Sequence, residues 1–173
     1  AVFGEEVQQA AKVFAPNDFF GVLPDGTAWV ARARLNRVDW RTRDGKWSLG
    51  ETREFTKVPV TEKDKQRVIT QVREQGKKFG MPQDLHIAYP FAETKPAFEA
   101  AVGRPSGEVW LQRPRKDERS ALVYDVYDRK SKWRGEVTFP PDASLVGFGA
   151  GDVVYAAIKN SDGSRTIGRY KAR

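Results

Sequence analysis

Cysteine is absent from this 173-residue chain, and histidine occurs once, at His86. Those two absences exclude thiolate nucleophiles, disulfides, zinc fingers, iron–sulfur clusters and His-rich metal cages. No apolar run approaches the roughly 18 to 20 residues that span a bilayer, and no basic, apolar and small-residue leader precedes the first turn. No transmembrane segment is expected. The chain starts at Ala1 rather than Met, from which we expect a removed leader or upstream segment, or a numbering that begins inside a longer gene product. Lack of cysteine fits either side of a membrane and leaves the compartment open.

What is present argues for a packed fold. Hydrophobic residues make up 39% and aromatics 12%, too many for a disordered chain. The length suits one domain that buries roughly two thirds of its unfolded surface. Thirty Lys and Arg against 23 Asp and Glu give a net charge of +7, which favours an acidic partner or an anionic surface.

Strand grammar dominates. Phe19 to Ala31 reads as two short runs around Pro24-Asp25-Gly26, and Arg37 to Thr42 alternates up to an Asp44-Gly45 turn. A further strand is expected from Lys46 towards Phe55. The pattern returns at 98–102, 107–111, 122–128 and 133–139, and a third time at 145–148, 152–157 and 166–170. Gly26, Gly107 and Gly151 each precede such a strand, with Trp29, Trp110 and Val154-Tyr155 at matching offsets. The interval of 44 residues from Gly107 to Gly151 suits a four-stranded blade. That of 81 from Gly26 to Gly107 implies a blade plus an insertion. The insertion is a helix opened by Thr61 with Asp64, striped by Val68, Ile69 and Val72, and ended by Gly76 or Gly80 with Pro82. An irregular connection from Gln83 to Pro96 follows, because Pro90 and Pro96 exclude a central strand.

The fold class expected is mainly β: antiparallel propeller-like blades, two plus a partial third, with one inserted α-helix. As a single module, 1–173, it divides into a first blade at 13–57, a helical insertion and loop at 58–97, a second blade at 98–140 and a partial third at 141–173.

The order Pro-Asp-Gly-x-x-Trp-Val, Arg-Val-Asp-Trp, Val-Pro-Val-Thr-Glu-x-Asp, Pro-Phe-x-x-x-x-Pro-Ala-Phe, Gly-x-Val-Trp-Leu, Tyr-Asp-Val-Tyr-Asp and Val-Gly-Phe-Gly-x-Gly-x-Val-Tyr carries a resemblance. It resembles the C-terminal half of bacterial six-bladed β-propellers of the NHL-like kind, from about Val13 to Tyr170. The resemblance implies a ring roughly twice this length and an exported, extracytoplasmic or periplasmic scaffold without assigned catalysis.

Chemistry-bearing residues are sparse. Gly147-x-Gly149-x-Gly151 is followed by a strand and not by a helix, so it reads as a hairpin and not as a dinucleotide loop. His86 has no second His or Cys with which to share a metal and reads as a loop or core residue. Asp25, Asp39, Asp44, Asp125 and Asp128 lack EF-hand spacing and read as turn formers. No catalytic residue, metal or cofactor is assigned. The basic residues Arg32, Arg34, Arg113, Arg115, Lys116 and Arg119 form the candidate interaction edge, with further crowds at 129–134 and 165–173. They point to protein partners in a larger assembly, with an anionic membrane surface as a second acceptable target. Nucleic acid is disfavoured, since no recognition-helix, RNP or zinc-finger pattern occurs. The alternative is a fragment of a propeller enzyme or sugar-type binder whose pocket needs the full ring.

Overall fold

The computed structural model describes residues 12–80 and 90–171. They form two compact units, one from the described residues of Ala1–Ala15 and Pro59–Lys95, the other from Pro16–Val58 and Pro96–Arg173.

The second unit holds three antiparallel sheets, so the protein is mainly β with blade-like sheets and a single helix. Sheet one is β1 (Phe19–Val22), β2 (Ala28–Arg32), β3 (Arg37–Arg41) and β4 (Trp47–Ser48). Sheet two is β5 (Ala100–Arg104), β6 (Glu108–Gln112), β7 (Leu122–Tyr127) and β8 (Trp133–Phe139). Sheet three is β9 (Ala143–Phe148), β10 (Val153–Lys159) and β11 (Arg165–Lys171). Within each sheet, neighbours in sequence are neighbours in space.

Several expected strands differ in extent, two of them beside the sheet-one core. The run from Lys46 towards Phe55 shrinks to two residues, because the Gly50 amide turns inward to donate to the Asp39 carboxylate at 3.0 Å instead of continuing the ladder. In sheet two the strand begins at Ala100 and not at Phe98. Phe98 is buried instead, with its ring 5.9 Å from that of Phe19.

The first hairpin of each sheet turns through three residues: Pro24-Asp25-Gly26, Pro105-Ser106-Gly107 and Ala150-Gly151-Asp152. Gly26 (φ 81°), Gly107 (φ 104°) and Gly151 (φ 61°) take the left-handed conformation that such turns need. Counted from these turns, one rung pairs Trp29 with Gly21, Trp110 with Val102 and Tyr155 with Gly147. Gly151 sits one place earlier in its turn than the other two glycines. The residue matching the tryptophans is therefore Tyr155 and not Val154.

Alternation along the strands sends each of those aromatics to the same side of its sheet. Trp29 packs on Gly103 of β5, where a Cβ would strike the indole nitrogen. Trp110 packs on Phe148 of β9, with ring centres 5.0 Å apart. Gly103 and Phe148 occupy the same place before their turns, so both sheet-to-sheet contacts use one design. They organise two cores, one of Trp29, Val38, Trp40, Val109, Leu111 and Tyr127, the other of Trp110, Tyr124, Val126, Phe139, Val154 and Ala156. Each such fully buried side chain contributes about 1.5–3 kcal/mol of hydrophobic stabilisation.

In the first unit, α1 (Glu62–Lys78) opens with a reciprocal capping box: the Asp64 amide donates to the Thr61 hydroxyl and the Thr61 amide donates to the Asp64 carboxylate. Gly80, at φ 71°, follows the helix end, while Gly76 lies buried inside the helix. Asp64 also receives the buried Lys95 ammonium at 2.8 Å and Arg67 at 3.1 Å. Val13 bridges to Phe91, and both lie in the unit that holds the helix. His86 and Arg173 lie outside the described residues.

Candidate binding site

The most concentrated polar arrangement in the strand unit surrounds Asp125 on β7. Its place in the alternation turns it inward towards sheet one, where water would reach it poorly. Four donors replace that water. Arg113 grips it with Nε and Nη2, both at 2.8 Å, Arg53 Nη1 donates at 3.0 Å and Trp133 Nε1 at 2.6 Å. Burial alone would raise the Asp125 pKa, but hydrogen bonds from Arg113, Trp133 and Arg53 outweigh it and hold the carboxyl below its ordinary value. The reciprocal effect raises Arg113, through its bonds to Asp125 first and with a further contribution from Glu136 at 2.9 Å.

Arg53 arrives from the segment after β4 and lies 4.2 Å above the Trp133 ring. Two buried tyrosines neighbour Asp125 on β7, Tyr127 on the same face and Tyr124 on the opposite one. Tyr124, whose hydroxyl contacts Gln112 at 3.2 Å, has its pKa pushed up to about 12 by burial. The Tyr127 hydroxyl is buried beside Arg53 with no well-formed hydrogen bond among the described residues, and burial raises its pKa against the opposing effect of Arg53.

Outside the carboxylate opens a cleft of about 410 Å³. Asn36, Glu54 and Thr56 give it polar groups, Phe55, Val58, Ala97 and Pro114 apolar ones, and Arg53, Arg113 and Lys116 positive charge. Asn36 is fixed there by donating from Nδ2 to the Arg53 carbonyl at 3.1 Å.

The six basic residues of the expected edge do not act alike. Arg32 is bound by Asp18 at 2.9 Å and Asp39 at 3.2 Å, which raise its pKa, and Arg113 is bound as above. Arg115 donates to the Pro141 carbonyl at 3.0 Å. Arg34, Lys116 and Arg119 are exposed and form no ion pair with any described residue. Only these three are available as a charged edge. Asp25, Asp44 and Asp128 do cap turns, but Asp39 and Asp125 sit inside strands as buried ion-pair acceptors, which corrects their reading as turn formers.

Arg53 and Trp133 escaped the sequence reading. The signal available was the doubled spacing of Trp29-x-x-Arg32 and Trp110-x-x-Arg113, with an aspartate on the following strand of each. Among the described residues, no group of three or more His, Cys, Asp or Glu side chains gathers as a metal site. No helix among them is long and apolar enough to cross a membrane. No family model matches this sequence, and comparison with curated proteins and with solved structures gives no match either.

Proposed function

We propose that the chain is a non-catalytic, propeller-like scaffold of the NHL-like kind, an interaction subunit in a larger, extracytoplasmic assembly. One observation carries this reading: the repeated sheet contact stops at both ends with its contact surfaces uncovered. Tyr155 holds the position from which Trp29 and Trp110 each reach a following sheet, but among the described residues it faces no further sheet, and beside it Ile167 is 65% exposed. At the other end Val22 holds the position of Gly103 and Phe148, yet it is 69% exposed, with Phe20 at 81% on the same face. Apolar surface of this kind usually marks an interface. The occupant that fits is another antiparallel sheet, presenting an aromatic to Val22 and a small or apolar residue to Tyr155.

Arg34, Lys116 and Arg119 then supply the electrostatic edge towards acidic partner groups, with anionic lipid headgroups as the other acceptable surface. The test is retention of the chain in its native complex between 0.1 M and 1 M salt, where the Debye length falls from about 10 Å to about 3 Å. The triple variant Arg34→Glu, Lys116→Glu, Arg119→Glu should elute early at 0.1 M, whereas wild type should hold until higher salt. Unchanged, salt-independent retention removes the charged edge, and a monodisperse monomer in the native extract removes the scaffold reading.

A further inference from the structure

We infer that the cleft beside Asp125 binds a small sugar acid, a molecule with one carboxylate on a hydroxylated ring. The inference concerns a pocket within the strand unit and not its open end faces; it shares Lys116 with the charged edge proposed above, and Phe55, which that edge does not use, separates the two in the test.

Unspent cations set the ligand's sign. Arg53, Arg113 and Lys116 line the cleft with Glu54 and Asp125, and Glu136 lies 2.9 Å from Arg113, so three cations meet three carboxylates. Arg113 is spent on Asp125 and Glu136, which leaves Arg53 and Lys116 as the groups whose donors can meet one ligand carboxylate. Asp125 cannot attract a ligand cation, since its two oxygens already accept four hydrogen bonds. Its role is to position the arginines.

Unspent donors set the place of the carboxylate. Arg53 commits one nitrogen, Nη1, to Asp125, and its side chain remains 37% exposed with further N–H groups to offer. Stacking on Trp133 and the bond to Asp125 hold that guanidinium in place before any ligand arrives, so little side-chain entropy is lost on binding. Lys116, exposed and without an ion pair among the described residues, is the second contact.

The remaining wall sets the ligand's body. Phe55 and Pro114 offer apolar surface for the face of a ring, while Asn36, Thr56 and Glu54 offer partners to hydroxyl groups. The volume of about 410 Å³ falls in the range of about 300–1,000 Å³ usual for small-molecule sites and leaves room for one or two rings. A hydrocarbon acid would leave the polar groups unmatched. A neutral sugar would leave the remaining Arg53 and Lys116 donors without an anionic partner.

The experiment is calorimetric titration of the full chain with D-galacturonate, D-galactose and inorganic phosphate at low salt. Galacturonate should bind saturably at one site, and galactose about tenfold or more weaker, since a tenfold change corresponds to about 1.4 kcal/mol and one charged contact supplies that much. Lys116→Glu and Phe55→Ala should each weaken galacturonate, and Lys130→Glu, outside the cleft, should not. Melting temperatures of the three variants check that the fold persists. Failure of galacturonate to saturate overturns the inference. So does phosphate binding as tightly as galacturonate, which would mean a bare anion site, and so does binding that survives both cleft variants in folded protein.

Discussion

Asp39 and Asp125 occupy the same rung of their sheets: Asp39 faces Val30, the residue after Trp29, and Asp125 faces Leu111, the residue after Trp110. Each is buried and gripped by the arginine three residues beyond its tryptophan, Arg32 or Arg113. The second arginine differs. Asp125 takes Arg53 from the segment that trails sheet one, whereas Asp39 takes Arg37 from its own strand. Sheet two is thus completed by its predecessor, while sheet one has substituted a residue of its own at its uncovered face. In sheet three the same rung carries Ala156 and Gly168, and Ile158 stands in the place of Arg32 and Arg113, so the ion pair is gone.

Asp125→Asn should destabilise the strand unit by about 2–3 kcal/mol. Breaking a buried pair costs about 3–5 kcal/mol, and the value should lie at or below the low end because Arg53 and Arg113 are each more than a third exposed and can rehydrate. Urea unfolding measures it. Replacing the pair together, Asp125→Leu with Arg113→Met, should cost less than Asp125→Asn alone.

The same carboxylate gives a pH signature. Its folded pKa lies below the unfolded value of about 3.9, so its contribution is present above about pH 4 and is lost as pH falls through the folded value. Melting temperature against pH should therefore drop more steeply below pH 4 in wild type than in Asp125→Asn. Asp64, also held low by Lys95 and Thr61 against the opposing effect of burial, adds to the drop in both proteins.

Gly103→Ala should destabilise by about 1–3 kcal/mol, the usual range for overpacking, because its Cβ would run into the Trp29 indole. Gly147→Ala is the control. No atom lies within 4 Å of a Cβ there, and its melting temperature should stay close to wild type.

In the helical unit, Asp64→Ala removes a capping acceptor and one partner of an ammonium that is 3% exposed as a residue. The expected loss is about 3 kcal/mol or more, against about 1 kcal/mol for the cap alone, tested with Thr61→Ala. Equal losses in the two variants would mean that Lys95 rehydrates freely.

Much of this architecture was legible in the sequence because turns and alternation are local. Pro24-Asp25-Gly26, Asp44-Gly45 and the Thr61/Asp64 box each act within a few residues, and the hairpins and α1 stand where those signals predict them. What was not legible depends on distant partners. Nothing near Gly50 announces that its amide will leave the ladder for Asp39, and nothing near Arg53 announces Asp125, 72 residues away. The same holds for the basic edge, since Arg32 and Arg113 look free in a linear count and are bound by buried aspartates in the fold. The cleft follows suit, because its walls come from the β2–β3 turn, the segment after β4 and the loop after β6.

On the proposed scaffold function, the outer face of sheet three is covered by another sheet in the assembly. The chain contains no cysteine, so Ile167→Cys introduces a single thiol at the middle of that face. Maleimide labelling of this variant should be measured in the native assembly and in the isolated chain, with Thr70→Cys on the exposed side of α1 as the reference thiol. Ile167→Cys should react at least about tenfold more slowly in the assembly than in the isolated chain, as burial of a side chain at an interface core demands, while the reference reacts alike in both. Equal labelling of the 167 thiol in the two states would contradict it.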